Sequence, residues 1–201
     1  MIAIIDYDAG NIRSVTNALE RLGADIRLTA DPAEILAADK VILPGVGNDA
    51  QAMKNLRERG LCDVIRSIRK PVLGICVGMQ ILCRDSEENL EGENTLTECL
   101  GVFDSHVRKF PFSEDARVPH MGWNQIGNTD SKLFRGLKGG ENVYFVHSYY
   151  PTPCPDTIAT CKHGNVMFSA ALKYENFYGT QFHPEKSGDV GERILSNFLN
   201  L

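Results

Sequence analysis

Apolar positions along the first hundred residues recur at two spacings. Ile2 to Ile5 form an unbroken apolar run that stops at Asp6, the pattern of a buried strand. Over residues 11–22, Ile12, Val15, Leu19 and Leu22 fall on one helical face, and Gly23 supplies a stop. The alternation then repeats. Strands are expected at Asp25 to Leu28, Lys40 to Leu43 and Pro71 to Ile75. Helices are expected from Asp31-Pro32, after Gly47 through Leu56, from Cys62 to Ile68 and from Val77 to Cys83. Short apolar strands alternating with helices are βαβ units, and they predict a mostly parallel sheet with helices on both faces. From about Gly101 the texture changes. Short strand candidates such as Asn142 to Ser148 and Tyr174 to Gln181 are separated by Gly, Pro, Asn and Asp. They predict antiparallel strands added to the parallel core, with a closing helix over Val190 to Leu199. With no repeat and no linker in view, residues 1–201 are expected to form one doubly wound α/β domain.

Composition narrows the function more than the fold. The 201 residues are 43% hydrophobic and 23% charged, the balance of a globular protein. A net charge of −5 offers no basic footprint for nucleic acid. No apolar run approaches the ~18 residues needed to span a bilayer. The opening Met-Ile-Ala-Ile-Ile-Asp reads as a first strand and not as a signal peptide, so a cytoplasmic location is expected. Six cysteines (Cys62, Cys76, Cys83, Cys99, Cys154, Cys161) include no C-x-x-C pair. In a reducing compartment they are expected as free thiols, with neither disulfide nor zinc site, and no metal or cofactor is expected.

The segment Lys70-Pro-Val-Leu-Gly-Ile-Cys-Val-Gly-Met-Gln80 carries the clearest chemistry. A strand runs straight into a helix with Gly74-x-Cys76-x-Gly78 at the junction, the glycine spacing of a nucleophile elbow. Such a turn is strained, and a Cβ two residues before or after the nucleophile would meet neighbouring backbone. It leaves sulfur at a helix N-terminus, where partial positive charge favours thiolate, and aims the Val77 N–H at a developing oxyanion. The plainer alternative is close strand–helix packing around a buried thiol. His183-Pro184-Glu185 supplies a base and its orienter if the backbone there stays extended, since residues two apart then face the same way. Taken alone, it is equally an exposed turn. Leu43-Pro-Gly-Val-Gly47 ends on the same rim as Cys76, because ligands sit outside the carboxyl ends of strands in a doubly wound sheet. Gly45 and Gly47 can turn N–H groups inward as a second oxyanion donor, or form an ordinary strand-to-helix turn. His106, His147 and His163 are expected to be structural or surface residues. Strand alternation points His147 away from Ser148, toward the core or a partner face.

These three elements, in this order, resemble the triad (class I) glutamine amidotransferase family over almost the whole chain. Further matching stretches are Ile5 to Asn11, His120-Met-Gly-Trp-Asn124, Tyr144 to Tyr149 and Gln181 to Ser187. The resemblance implies Cys76 as nucleophile, His183 as general base and acid, and Glu185 as orienter. It places Gln80, Glu88, Ser148 and Tyr149 around substrate glutamine, and Gly45, Val46 and Gly47 on the oxyanion strand. It also implies a heterodimer with a (β/α)8-barrel cyclase that receives the ammonia. Asn11, Arg13 and Lys186 are interface candidates, with solvated surface charge the alternative for each. The triad does not separate subunits that serve different synthases, including copies that serve surface-sugar amidation. His120 to Asn124 and Tyr144 to Tyr149 carry that choice.

Overall fold

The computed structural model describes residues 1–8, 12–90, 95–112, 116–129 and 131–201. Strands β1 (Ile2–Ile5), β2 (Ile26–Thr29), β3 (Lys40–Leu43) and β4 (Val72–Ile75) alternate with helices α1 (Ile12–Arg21), α2 (Pro32–Ala37), α3 (Asp49–Glu58) and α4 (Leu61–Ser67). Helix α5 (Val77–Gln80) follows β4 directly. Then come β5 (Asp85–Ser86), β6 (Thr97–Glu98), β7 (His106–Lys109), β8 (His120–Gln125), β9 (Asn142–His147), β10 (Tyr149–Pro151), β11 (Thr157–His163), β12 (Val166–Tyr174) and β13 (Phe177–Thr180), and finally α6 (Gly188–Leu199).

The main sheet has the order β11-β12-β13-β4-β3-β1-β2. Five of its strands run parallel, from β13 to β2, and β12 and β11 are added antiparallel. This is the α/β architecture that the alternating pattern implies. Strands β1 and β4 are buried at every residue because helices cover both faces, which is why they read as unbroken apolar runs. Edge strand β2 is exposed at its two middle residues. Helix α1 presents Val15, Ala18 and Leu19 to the core, with Ile12 and Leu22 packed at its margin. Helix α2 starts where expected, with the Asp31 carboxylate accepting from the Ala33 N–H and Pro32 in the first turn.

Two expected elements come out differently. Tyr174 to Gln181 is not one strand, because Tyr174 ends β12 and a turn at Glu175-Asn176 starts β13 at Phe177. The Asn176 side chain donates to the Ile68 and Lys70 carbonyls, which ties that turn to the start of β4. The helix expected over Val77 to Cys83 is a single turn. The Ile81, Leu82 and Cys83 carbonyls, which a longer helix would use, instead accept N–H groups from residues 100–103. The antiparallel pair β8–β9 stands apart from the main sheet, and the chain after β9 supplies Ser148 and Tyr149 to the rim described next.

Candidate active site

Strand β4 ends at Ile75, and Cys76 sits at φ 55°, ψ −112°, a conformation L-residues rarely adopt. Three contacts hold it there. The Cys76 N–H donates to the Thr180 carbonyl at 2.8 Å, while its own carbonyl accepts from the Met79 and Gln80 N–H groups. Close approach at the flanking glycines completes the turn. A Cβ at Gly78 would lie 1.9 Å from the Leu43 carbonyl oxygen, and one at Gly74 would lie 2.6 Å from the Gly78 oxygen. Gly78→Ala is therefore expected to push β3 and α5 apart. Because a displacement of about 1 Å can cost roughly 100-fold, glutamine turnover in this variant should fall on that order. A thermal melt together with a rate assay checks it, and unchanged kcat would show that the packing is slack.

A one-turn helix adds little macrodipole to the sulfur, so the dipole expected behind Cys76 gives way to side-chain groups. The other five cysteines are all pushed up by burial, Cys161 to about 12. All six thiols are free.

His183 follows β13 on the same rim, and its Nδ1 lies 2.8 Å from Glu185 Oε1 with both side chains buried. The expected extended backbone is not what brings them together. Pro184–Lys186 form a 3-10 turn, and the Ser187 hydroxyl donates to the His183 carbonyl at 2.6 Å to close it. The turn folds Glu185 back under the imidazole. Burial opposes a charged imidazole, yet the Cys76 sulfur and the Glu185 carboxylate outweigh it and hold His183 above the ordinary histidine range. His183 Nε2 is left without a hydrogen-bond partner and is buried. It is the nitrogen available to the sulfur, since Nδ1 is committed to Glu185.

A cavity of about 180 Å³ opens at this point, lined by Cys76, His183, Val46, Gly47, Val77, Gln80, Glu88 and residues 146–149. It thus gathers Val46, Gly47, Val77, Gln80, Glu88, Ser148 and Tyr149. Gly45 stays behind the wall. It is buried against Gly78, where a Cβ would stand 2.6 Å from nitrogen, so it serves loop packing and lines no part of the cavity. Val77, as first residue of its helix, has an N–H with no intrahelical acceptor. Both amide hydrogens of Gln80 are already used, by the Tyr149 carbonyl at 2.8 Å and Gln181 Oε1 at 2.9 Å, so it shapes the wall and has no N–H left for a ligand. Glu88 is held by the Asp49 N–H at 2.8 Å.

Sequence reasoning missed several supports. Fully buried Tyr7 donates to the Pro44 carbonyl at 2.5 Å and so fixes the Leu43 to Gly47 loop. Asp49 and Ser86, both fully buried, are bonded to each other and brace Glu88. Burial holds the Asp49 carboxyl well above its usual range. Gln181 touches sulfur, Nε2 to Sγ 3.7 Å. The sequence signal for Tyr7 was its place in the Ile5 to Asn11 stretch, just past the carboxyl end of β1.

The profile of the class I glutamine amidotransferase family matches residues 3–201. A Bacteroides thetaiotaomicron protein named imidazole glycerol phosphate synthase subunit HisH is 52% identical over all 201 residues, which cover 99% of that protein. A Vibrio vulnificus protein of the same name, copy 1, is 45% identical, with 98% of it covered. The chain belongs to the class I glutamine amidotransferase family. Among solved structures, a Thermoplasma acidophilum protein described as part of a GMP synthase superposes with TM-score 0.73 at 23% identity, over 99% of this chain and 92% of that one. A Thermotoga maritima glutamine amidotransferase superposes at 0.62 and 16%, over 99% and 82%. Both show the shared fold.

Of this amidotransferase's interface candidates, Arg13 and Lys186 are exposed, with Lys186 Nζ 5.9 Å above the Tyr144 ring, and Asn11 lies outside the described residues. A better marked surface was missed. Met121 and Trp123 are 62% and 57% exposed, and they pair across β8–β9 with Val146 and Tyr144. The alternation that buries His120 and Phe145 puts these four side chains on the outward face, and Val146 among them also lines the cavity.

His106 pairs with Asp85 near the surface, His163 is partly exposed, and His147 is buried as its strand position implies, although it also reaches the cavity wall. Burial lowers His120 to about 4 and His147 to about 3. Folded, both are neutral, whereas the unfolded chain takes up their protons near pH 6.5. Their contribution to stability is therefore present above about pH 6.5 and is lost as pH falls toward those lower values. His147→Gln should flatten the acid side of the stability profile by about 1.4 kcal/mol per pH unit in that window. Urea melts at several pH values measure this, and an unchanged slope would contradict it.

Proposed function

We propose that the chain is the glutaminase subunit of imidazole glycerol phosphate synthase. The observation that carries this reading is full-length identity of 45–52% with proteins of that name, end to end in both directions. The site suits the chemistry. The Cys76 thiolate attacks the glutamine carboxamide carbonyl, and the oxyanion faces the N–H groups of Val77 and of the Val46–Gly47 loop. Protonated His183, oriented by Glu185, gives its Nε2 proton to the departing ammonia. Water deprotonated by His183 then cleaves the thioester to glutamate. Glu88, Ser148 and Tyr149 hold the amino-acid end of glutamine.

Free ammonia is protonated and lost in bulk solvent, so it needs a covered route to its acceptor. The partner is a (β/α)8-barrel cyclase docked on the Met121, Trp123, Tyr144 and Val146 face, with Lys186 and Arg13 at its margin. The exposed apolar face beside the cavity mouth supports this placement. Gly47, at φ +103°, gives the oxyanion loop freedom to reorient when the partner's acceptor site fills.

The test is reconstitution. The chain is mixed with the barrel cyclase and its formimino ribonucleotide substrate, and glutamine-dependent formation of imidazole glycerol phosphate is followed. Product formation supports the reading. No product from a well-folded pair would assign the chain to another synthase, such as one amidating surface sugars.

A further inference from the structure

The Tyr149 carbonyl, on the cavity rim, accepts two hydrogen bonds, and being able only to accept it sets the direction of both. On one side lies Gln80, whose Nε2 must be the atom facing it at 2.8 Å. The second hydrogen of that Nε2 goes to Gln181 Oε1 at 2.9 Å, which leaves Gln181 Nε2 turned to Cys76 Sγ at 3.7 Å. On the other side, His147 Nδ1 lies 2.7 Å from the same carbonyl and must carry its proton. His147 Nε2 is then an acceptor, so His120 Nδ1, 2.9 Å away, donates to it. His120 Nε2 accepts in turn from Asn124 Nδ2 at 3.2 Å. The far end confirms this direction independently, because Asn124 Nδ2 also faces the Lys162 carbonyl at 2.9 Å, a group that can only accept. Both histidines are neutral in this arrangement, in keeping with their burial.

The result is one hydrogen-bonded chain from the β8–β9 hairpin to the sulfur, in which both neighbours donate to the Tyr149 carbonyl and, from Gln80 onward, the bonds run toward the sulfur. Gln80, Gln181, His120 and His147 are each at least 93% buried, so water does not compete for these bonds. The rings are locked in place as well. His120 stacks on Phe145 at 4.7 Å and on His163 at 4.1 Å, and His147 packs against Phe110 and Phe168. The titratable groups around the pair are His163 and, toward the cavity, His183.

We propose that the His120–His147 pair is a positioning element for the nucleophile, fixing the Tyr149 carbonyl so that Gln80 and Gln181 aim one amide N–H at the Cys76 sulfur. That N–H stabilises the thiolate over the thiol. The inference rests on the reading of Cys76 as nucleophile, and it assigns a shared task to residues of the His120 to Asn124 and Tyr144 to Tyr149 stretches.

The experiment follows alkylation of Cys76 by iodoacetamide in the whole chain, read on its peptide by mass spectrometry between about pH 5 and about pH 9. His147→Leu removes the donor to Tyr149. The midpoint of its alkylation profile should rise by about one unit, which makes the rate about tenfold lower at pH values below that midpoint. His147→Asn puts an amide N–H near the place of Nδ1 and should restore the rate to within about twofold. A packing role alone would lower the melting temperature in both variants and leave the midpoint in place, and that result overturns the proposal. If His147→Leu does not fold by circular dichroism, Gln181→Met and His120→Phe decide, since both lose a donor. An unmoved midpoint in both overturns the proposal equally. Wild-type labelling by a glutamine-mimicking diazo ketone is the control. If that reagent fails to label Cys76, the nucleophile reading itself falls, whereas labelled wild type with unmoved variants rejects the positioning role alone.

Discussion

Cys76→Ala is expected to remove glutamine hydrolysis almost entirely, by about 10⁴-fold or more in kcat, while ammonia-dependent synthesis by the partner continues. The size follows from the geometry. Sulfur acts directly on His183 and shares the cavity wall with Val77, and the elbow that presents it holds a strained φ of 55°. Alanine fits the same turn, so the protein should fold and bind its partner with its chemistry gone. The decisive comparison sets glutamine against ammonium salt as nitrogen source in the reconstituted complex. If glutamine-driven turnover survived in the variant, Cys76 would not be the nucleophile. Loss of both activities would point to a folding or docking defect, which a melt of the isolated chain would reveal.

Glu185→Gln carries the second largest expected effect, about a 10³-fold loss in kcat at neutral pH. The Glu185 carboxylate can only accept, so it keeps a proton on His183 Nδ1 and leaves Nε2 to exchange protons with sulfur and ammonia. A glutamine amide can turn its NH₂ toward Nδ1. The imidazole then shifts to the other tautomer, with Nε2 already protonated and unable to act as base. The charged form of His183 also loses part of its support, because burial opposes it and Glu185 is one of the groups that offset this. With the folded pKa raised in the parent protein, the thiolate–imidazolium pair persists to high pH. In the variant the alkaline limb of kcat/KM should therefore move to lower pH. A pH–rate profile of parent and variant would show this, and coincident alkaline limbs would mean that Glu185 does not tune the imidazole.

Much of this site was legible in the sequence, and the parts that were share a property. The strand pattern of Ile2 to Ile5, Lys40 to Leu43 and Val72 to Ile75 comes from burial on both faces, which local composition records directly. Gly74 records a clash with the Gly78 oxygen four residues on, so that part of the elbow is written locally, whereas Gly78 answers to the Leu43 carbonyl of β3. His183-Pro184-Glu185 was recognisable as a pair, although the geometry inferred for it was wrong. Proline and the Ser187 hydroxyl bend the segment into a 3-10 turn, and that bend, not strand alternation, brings the carboxylate under the ring.

What the sequence could not disclose depends on contacts between distant segments. Helix α5 stops at Gln80 because residues 100–103 take the next carbonyls, a competition that no local propensity registers. Gly45 was expected at the oxyanion site, yet the close approach of α5 places it behind the wall. Tyr7 acts on Pro44 across 37 positions, and Gln80 meets Gln181 across 101. By itself the sequence determined the nucleophile's turn, the alternation of central strands with helices and the family, because each depends on neighbours in the chain or on a periodic pattern of burial. Only the tertiary structure decided which polar side chains reach the sulfur and in which direction their hydrogen bonds run. Those bonds join segments up to about a hundred residues apart, and their polarity is fixed by carbonyls that can only accept.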